Sequence, residues 1–205
     1  MEVDPADGRM ERALNNHEIA TRMALLLWSS VPDERLLLAA KAGELVTTQG
    51  RARQLHRMLV DPRARRLAEN FATQWLQVRR IDTAIPDPAM FPDVDADLRR
   101  SMQRETVDTF DRLLRGGHPW TDLLNSNETV VDAALARYYG LDVPDGAPQV
   151  VKRSGPGCGV LQQAAVLLTT SNPTRTSPVK RGKWVLEALL DAPPPPPPPG
   201  VDGLP

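Results

Sequence analysis

The sequence predicts an all-α fold: an irregular array of about eight helices in two packed subdomains, followed by a C-terminal polyproline II segment. Three observations carry that prediction. Apolar residues recur at helical spacing through the first 140 positions. The boundaries between these runs carry helix caps and stops. No stretch of useful length alternates with period two; only 149–152 (QVVK) has a strand-like character.

The first helix spans about 17–29, with Ile19, Met23, Leu26 and Leu27 on its apolar face, Asn16 as N-cap and Pro32 just beyond. A second starts at Pro32-Asp33-Glu34, where acidic residues suit the positive end of the helix dipole, and ends at Gly43. A third covers about 49–60 through Leu55, Met58 and Leu59. Asp61-Pro62 then supplies a cap followed by proline at the first helical position. The helix it opens runs to about Ile81, with Leu67, Phe71, Trp75 and Val78 as its core stripe. Its opposite face carries Arg63, Arg65, Arg66, Arg79 and Arg80, read as a solvated surface or as a face for an anionic partner. A proline-containing loop, 82–93, precedes a long helix, 95–114, stopped by Gly116-Gly117. Within it Glu105 and Asp108 read as solvated. A turn at 120–124 and a helix from about Val130 to Tyr139 follow, closed by Gly140.

Residues 1–140 thus form an N-terminal helical domain, and the Pro/Gly/Asp-rich stretch 141–159 a connection. Residues 160–192 form a C-terminal helical segment with the motif TRTSPVKRGKW. Residues 193–205 form a polyproline linker toward a further module; the chain is expected to be a piece of a longer polypeptide. Prolines 193–199 extend about 20 Å at ~3.1 Å per residue. They serve as a rigid spacer, as a strip packed on the protein's own aromatics, or as a ligand for an aromatic groove.

Composition narrows the function classes. The chain has 205 residues, 41% hydrophobic and 25% charged, with net charge −1, so no bulk field favours nucleic acid or an anionic membrane. No apolar run approaches the roughly 20 residues of a membrane span. The single cysteine, Cys158 in GPGCG, forms no CxxC or CxxCH motif, which leaves a small residue in a turn. His17, His56 and His118 show no metal-ligand spacing, and neither a Walker loop nor a GxGxxG occurs. No metal and no cofactor is expected within the chain.

The segment TSNPTRTSPVKRGKWVLEALLDAPPPPPPPGV closely resembles the signature of a domain of unknown function from planctomycete-type, cytochrome-c-associated, exported multidomain proteins. Upstream, LLLWSSVPDERLLLAAKAGEL, RMLVDPRARRLAENFATQWL, FPDVDADLRRSMQRET and LARYYGL resemble the partner domain that precedes it there. The resemblance implies a helical tandem in a periplasmic or extracellular protein. Its partners would be neighbouring modules of the same polypeptide, among them a cytochrome c domain that would carry any haem. The resemblance supplies no catalytic residues.

The best site candidate is the loop and helix start 171–184: Asn172, Thr174, Arg175, Ser177, Lys180, Arg181 and Trp184. Ser177-Pro178 is a strong helix start. Cations beside it are unfavourable by a few tenths of a kcal/mol each when exposed, so a compensating anion is expected, either an internal carboxylate or an external ligand. Gly182 inside the helix suggests a close backbone crossing, and Trp184 beside it docks on the upstream part or stacks on a carbohydrate. Two readings follow: a scaffold and interaction module, or a binding or catalytic module for an anionic substrate such as an acidic polysaccharide.

Overall fold

A computed structural model describes residues 12–142 and 144–195. The fold is all-α and irregular, with a single two-stranded antiparallel sheet among the described residues. The chain divides into two compact units. One holds the residues up to 72 together with 110–120, the other 73–109 together with 121 onward. No helix among the described residues is long and apolar enough to cross a membrane.

The first unit is built on the helices Asn16–Trp28, Glu34–Lys41 and Thr48–Val60. Each begins where a short polar side chain takes the amide of its third residue: Asn15 from Glu18, Asp33 from Leu36, Thr47 from Gly50. Asn15 is therefore the cap, completed as a capping box by Glu18, and Asn16 is the first helical residue. The buried stripe of that helix is Ala20, Ala24, Leu27 and Trp28, whereas Leu26 is 61% exposed. Small residues let neighbouring helices approach closely, so packing selects alanine where hydrophobicity alone selects leucine.

Trp28 anchors this core. Its indole N–H donates to the Met58 carbonyl at 3.1 Å, and the Arg63 guanidinium stacks 3.6 Å from its ring centroid. Arg57 grips Asp33 with two bonds of 2.7 and 3.0 Å, and Arg63 pairs with Asp61 at 2.8 Å. Hydrogen bonding from these guanidinium groups holds both carboxyls low, Asp61 at about 2. The arginines of this stretch are not simply a solvated face. Arg66 donates to the Trp28 carbonyl, Arg65 pairs with Glu69, and Arg79 donates to the Thr73 hydroxyl.

The expected continuous helix from Pro62 to Ile81 is broken into short pieces, with a π-turn at Ala68–Ala72 and a 3-10 turn at Val78–Asp82. These interruptions rotate the helix face. The buried stripe becomes Ala64, Ala68, Ala72 and Leu76, while Phe71 is 46% exposed and Trp75 only half-buried.

In the second unit a long helix, Ala96–Arg115, contributes Leu98, Met102 and Val107 to the core; its last turns belong to the first unit. The region expected to be helical from Val130 instead opens as strand β1 (Glu128–Val131). It pairs with β2 (Gln149–Lys152), Val130 opposite Val150. Asp132 then caps the helix Ala133–Tyr138. Gly157 and Gly159 lie so close to the backbone of 123–126 that a Cβ on Gly159 would fall 1.9 Å from the Leu123 carbonyl oxygen. The unit closes with the helices Ala164–Thr169 and Pro178–Trp184 and a π-turn at Val185–Leu189. Of the proline run, residues 193–195 are exposed; the remainder of the segment expected as polyproline II lies outside the described residues.

Candidate functional site

The loop 171–177 is a tight, self-bonded turn. The Asn172 amide donates to the Arg175 carbonyl at 2.8 Å, and Ser171 forms a bridge with Thr176. The Pro173 carbonyl accepts the Asp87 amide at 2.9 Å, tying the turn to the loop before the long helix. Ser177 spends its hydroxyl as the cap, accepting the Lys180 amide at 3.3 Å. The helix it opens is fixed from below by Trp184, 4% exposed, whose indole N–H donates to the Leu76 carbonyl at 2.9 Å. Trp75 donates in turn to the Ala188 carbonyl at 2.6 Å. Gly182 is not at a backbone crossing: a Cβ there would meet nothing within 4 Å.

Residues of the loop line two hollows. One is a pocket of about 290 Å³, with Phe91, Val94, Met102 and Leu167 among its walls and Asn172, Arg175, Thr176 and Arg181 from the loop and helix start. A cleft of about 240 Å³ is bordered by Arg80, Thr83 and Lys180 and shares Ser171 and Asn172 with the pocket. The structure therefore brings Asn172, Arg175 and Arg181 together at the pocket and sends Lys180 to the cleft. Thr174 is exposed and lines neither hollow, and Trp184 is committed to packing.

The cations of the motif are compensated unequally. Lys183 pairs with Glu187 at 3.5 Å, one turn on. Lys180 reaches only the Ser171 carbonyl at 3.4 Å, and Arg181 the Thr170 hydroxyl at 3.4 Å. Among the described residues, no carboxylate stands within ion-pair distance of either.

Behind the pocket lies a buried polar network that sequence reasoning missed. Tyr139 is among the pocket's lining residues, and its hydroxyl donates to Glu105 Oε2 at 2.7 Å and accepts the Ala164 amide at 2.9 Å. The Thr129 hydroxyl donates to Glu105 Oε1 at 2.7 Å. Thr106 donates to Gln163 Oε1 at 2.8 Å, and Gln163 donates to Thr109 at 3.2 Å. Glu105, expected on a solvated face, is 1% exposed. Burial raises its carboxyl above the ordinary range, against the two hydroxyl donors that favour the ionised form. Burial and the adjacent carboxyl also raise the Tyr139 phenol, so it stays a protonated donor at neutral pH. Among the described residues no buried side-chain nitrogen or oxygen lacks a partner. The signal in the sequence was Ser101-Glu105-Thr109, polar residues at helical spacing interleaved with Leu98 and Met102.

Among the described residues no group of three His, Cys, Asp or Glu side chains is placed to hold a metal ion. A family model, PSD4, described as a protein of unknown function (DUF1592), matches residues 14–141. A second, PSCyt3, described as a protein of unknown function (DUF1588), matches residues 158–205. No curated protein and no solved structure matches the chain.

Proposed function

Because the chain belongs to the DUF1592 family and continues into a DUF1588 match with a cytochrome-associated name, we propose that it is a helical scaffold and interaction module of an exported, cytochrome-linked multidomain protein. The observation that carries this reading is the pocket of about 290 Å³ beside the loop 171–177, with an apolar floor and Arg175 and Arg181 among its walls. Such a pocket suits an apolar anchor of a partner with an acidic group beside it, because burial supplies affinity and the guanidinium orients the anchor. Tyr139 supports binding over chemistry: its hydroxyl is spent on Glu105 and on the Ala164 amide.

The test is a titration of the isotope-labelled chain with a purified c-type cytochrome module taken from a parent protein of this tandem. Saturable resonance shifts are expected at Met102, Asn172, Arg175 and Arg181, and Arg181→Ala should weaken binding about tenfold with the fold unchanged. Absence of binding at millimolar concentration, or shifts confined to other surfaces, would refute the reading.

A second reading, an anionic substrate such as an acidic polysaccharide, is favoured by Arg181, whose side chain has only a hydroxyl as partner among the described residues. Polygalacturonate should then compete at the same pocket where neutral dextran does not. Release of reducing ends would separate catalysis from binding.

A further inference from the structure

We propose that the cleft bordered by Arg80 and Lys180 is a binding site for a tetrahedral oxyanion, with these two residues as its cationic walls and Asn172 as a neutral donor. This inference does not rest on the interaction-module reading, which concerns the other hollow.

Three observations support it. First, Arg80 and Lys180 both border the cleft of about 240 Å³ and also an adjoining hollow of about 220 Å³. The space exceeds what a single water needs, about 30 Å³, so an ion with part of an organic carrier fits. Second, neither cation is neutralised. Arg80 donates to the Gln77 side-chain carbonyl at 3.3 Å and Lys180 to the Ser171 carbonyl at 3.4 Å. Among the described residues no carboxylate lies within ion-pair distance of either. Elsewhere the chain does place such partners: Arg57 has Asp33, Arg63 has Asp61 and Arg115 has Asp111. The nearby Lys183 and Glu187 cancel each other at 3.5 Å. Third, the half-buried Asn172 is among the residues lining the cleft, as it is of the pocket, and its side-chain amide makes no hydrogen bond among the described residues.

Two like charges beside one small cavity repel each other, and a bound dianion removes that cost while accepting charge-assisted hydrogen bonds. A guanidinium fork presents two parallel N–H groups to adjacent oxygens, and the ammonium serves as a point charge for a third. The shared chemistry is a phosphate or sulfate group, free or carried as an ester.

The experiment uses the full 205-residue chain at low ionic strength and neutral pH. Isotope-labelled protein is titrated with inorganic phosphate, with glucose 6-phosphate, and with sodium chloride at matched ionic strength. Saturable shifts are expected at Arg80, Asn172 and Lys180 with the phosphates and not with chloride. Arg80→Gln and Lys180→Gln should each weaken phosphate binding about tenfold, while Lys152→Gln, at a lysine that borders neither hollow, leaves it unchanged. Should Arg80→Gln fail to fold, Arg80→Lys together with Lys180→Gln makes the same comparison. Equal affinity for both phosphates identifies the free ion as sufficient; tighter binding of the ester identifies a carried group. No saturable shift, shifts reproduced by chloride, or a folded Arg80→Gln variant with affinity within twofold of the parent would overturn the proposal. Loss of binding in Arg175→Ala with unchanged affinity in Arg80→Gln would place the anion at the other hollow.

Discussion

Removing Glu105 tests whether the buried network stabilises the second unit. In the intact protein its two oxygens accept the Thr129 and Tyr139 hydroxyls, each at 2.7 Å. Glu105→Ala removes the acceptor of both buried donors, at up to about 1–3 kcal/mol each, with the Thr109 hydroxyl 3.4 Å away as an alternative partner for Thr129. Release of a costly buried carboxyl offsets part of that loss, so a net destabilisation of about 2–5 kcal/mol is expected. Glu105→Gln keeps the size and one acceptor and should cost about 1–2 kcal/mol. The pH dependence has a definite sign. The folded-state pKa lies above the usual 4.5, so between these values the folded chain holds the proton that the unfolded chain has lost. This contribution is fully present below pH 4.5 and is lost as pH rises through the folded pKa. Urea unfolding followed by far-UV circular dichroism, at steps from pH 4 to 8, measures the stability of wild type minus Glu105→Gln. That difference should fall with rising pH. A flat difference, together with a Glu105→Ala cost below about 0.5 kcal/mol, would show that the network is not a stabilising element.

Four further outcomes are expected. Gly182→Ala should stabilise the chain by about 0.5–1 kcal/mol in the same assay, because the position is mid-helix with open space where the methyl would go. Gly159→Ala should cost roughly 2–5 kcal/mol, since φ is +49° and the new Cβ would meet the Leu123 carbonyl. Trp184→Phe should cost about 1–3 kcal/mol by leaving the Leu76 carbonyl without its indole donor, read as a lower urea midpoint with unchanged slope. Asp61→Asn should reduce the acid sensitivity of the first unit. The Arg63-bonded carboxyl contributes stability that is complete above pH 3.8 and drains as pH falls toward 2, so wild type and variant should converge there.

Caps were legible in the sequence because they are local. Asp61 and Ser177 each reach an amide two or three residues away, and the first helix start was misplaced by only one residue, between Asn15 and Asn16. The clustering of the loop residues was legible for the same reason. The loop 171–177 closes on itself, so its residues had to cluster, and Asn172, Arg175 and Arg181 do share one pocket. Which neighbours face that loop was not legible, because Phe91, Met102 and Tyr139 arrive from sequence positions far away.

The sequence by itself determined the helical class, several of the helix caps, and the family to which the chain belongs. Those depend on periodicity, capping and a long motif, each contained in a short stretch of chain. The tertiary structure decided which face of each helix is inside. Close approach favoured Ala20, Ala24, Ala68 and Ala72 over larger neighbours such as Leu26 and Phe71. It also decided that Glu105 is buried, because only pairing with Thr129 and Tyr139, 24 and 34 residues away, makes a carboxyl tolerable there. Trp184 likewise meets Leu76 across 108 residues, and no local pattern encodes that contact.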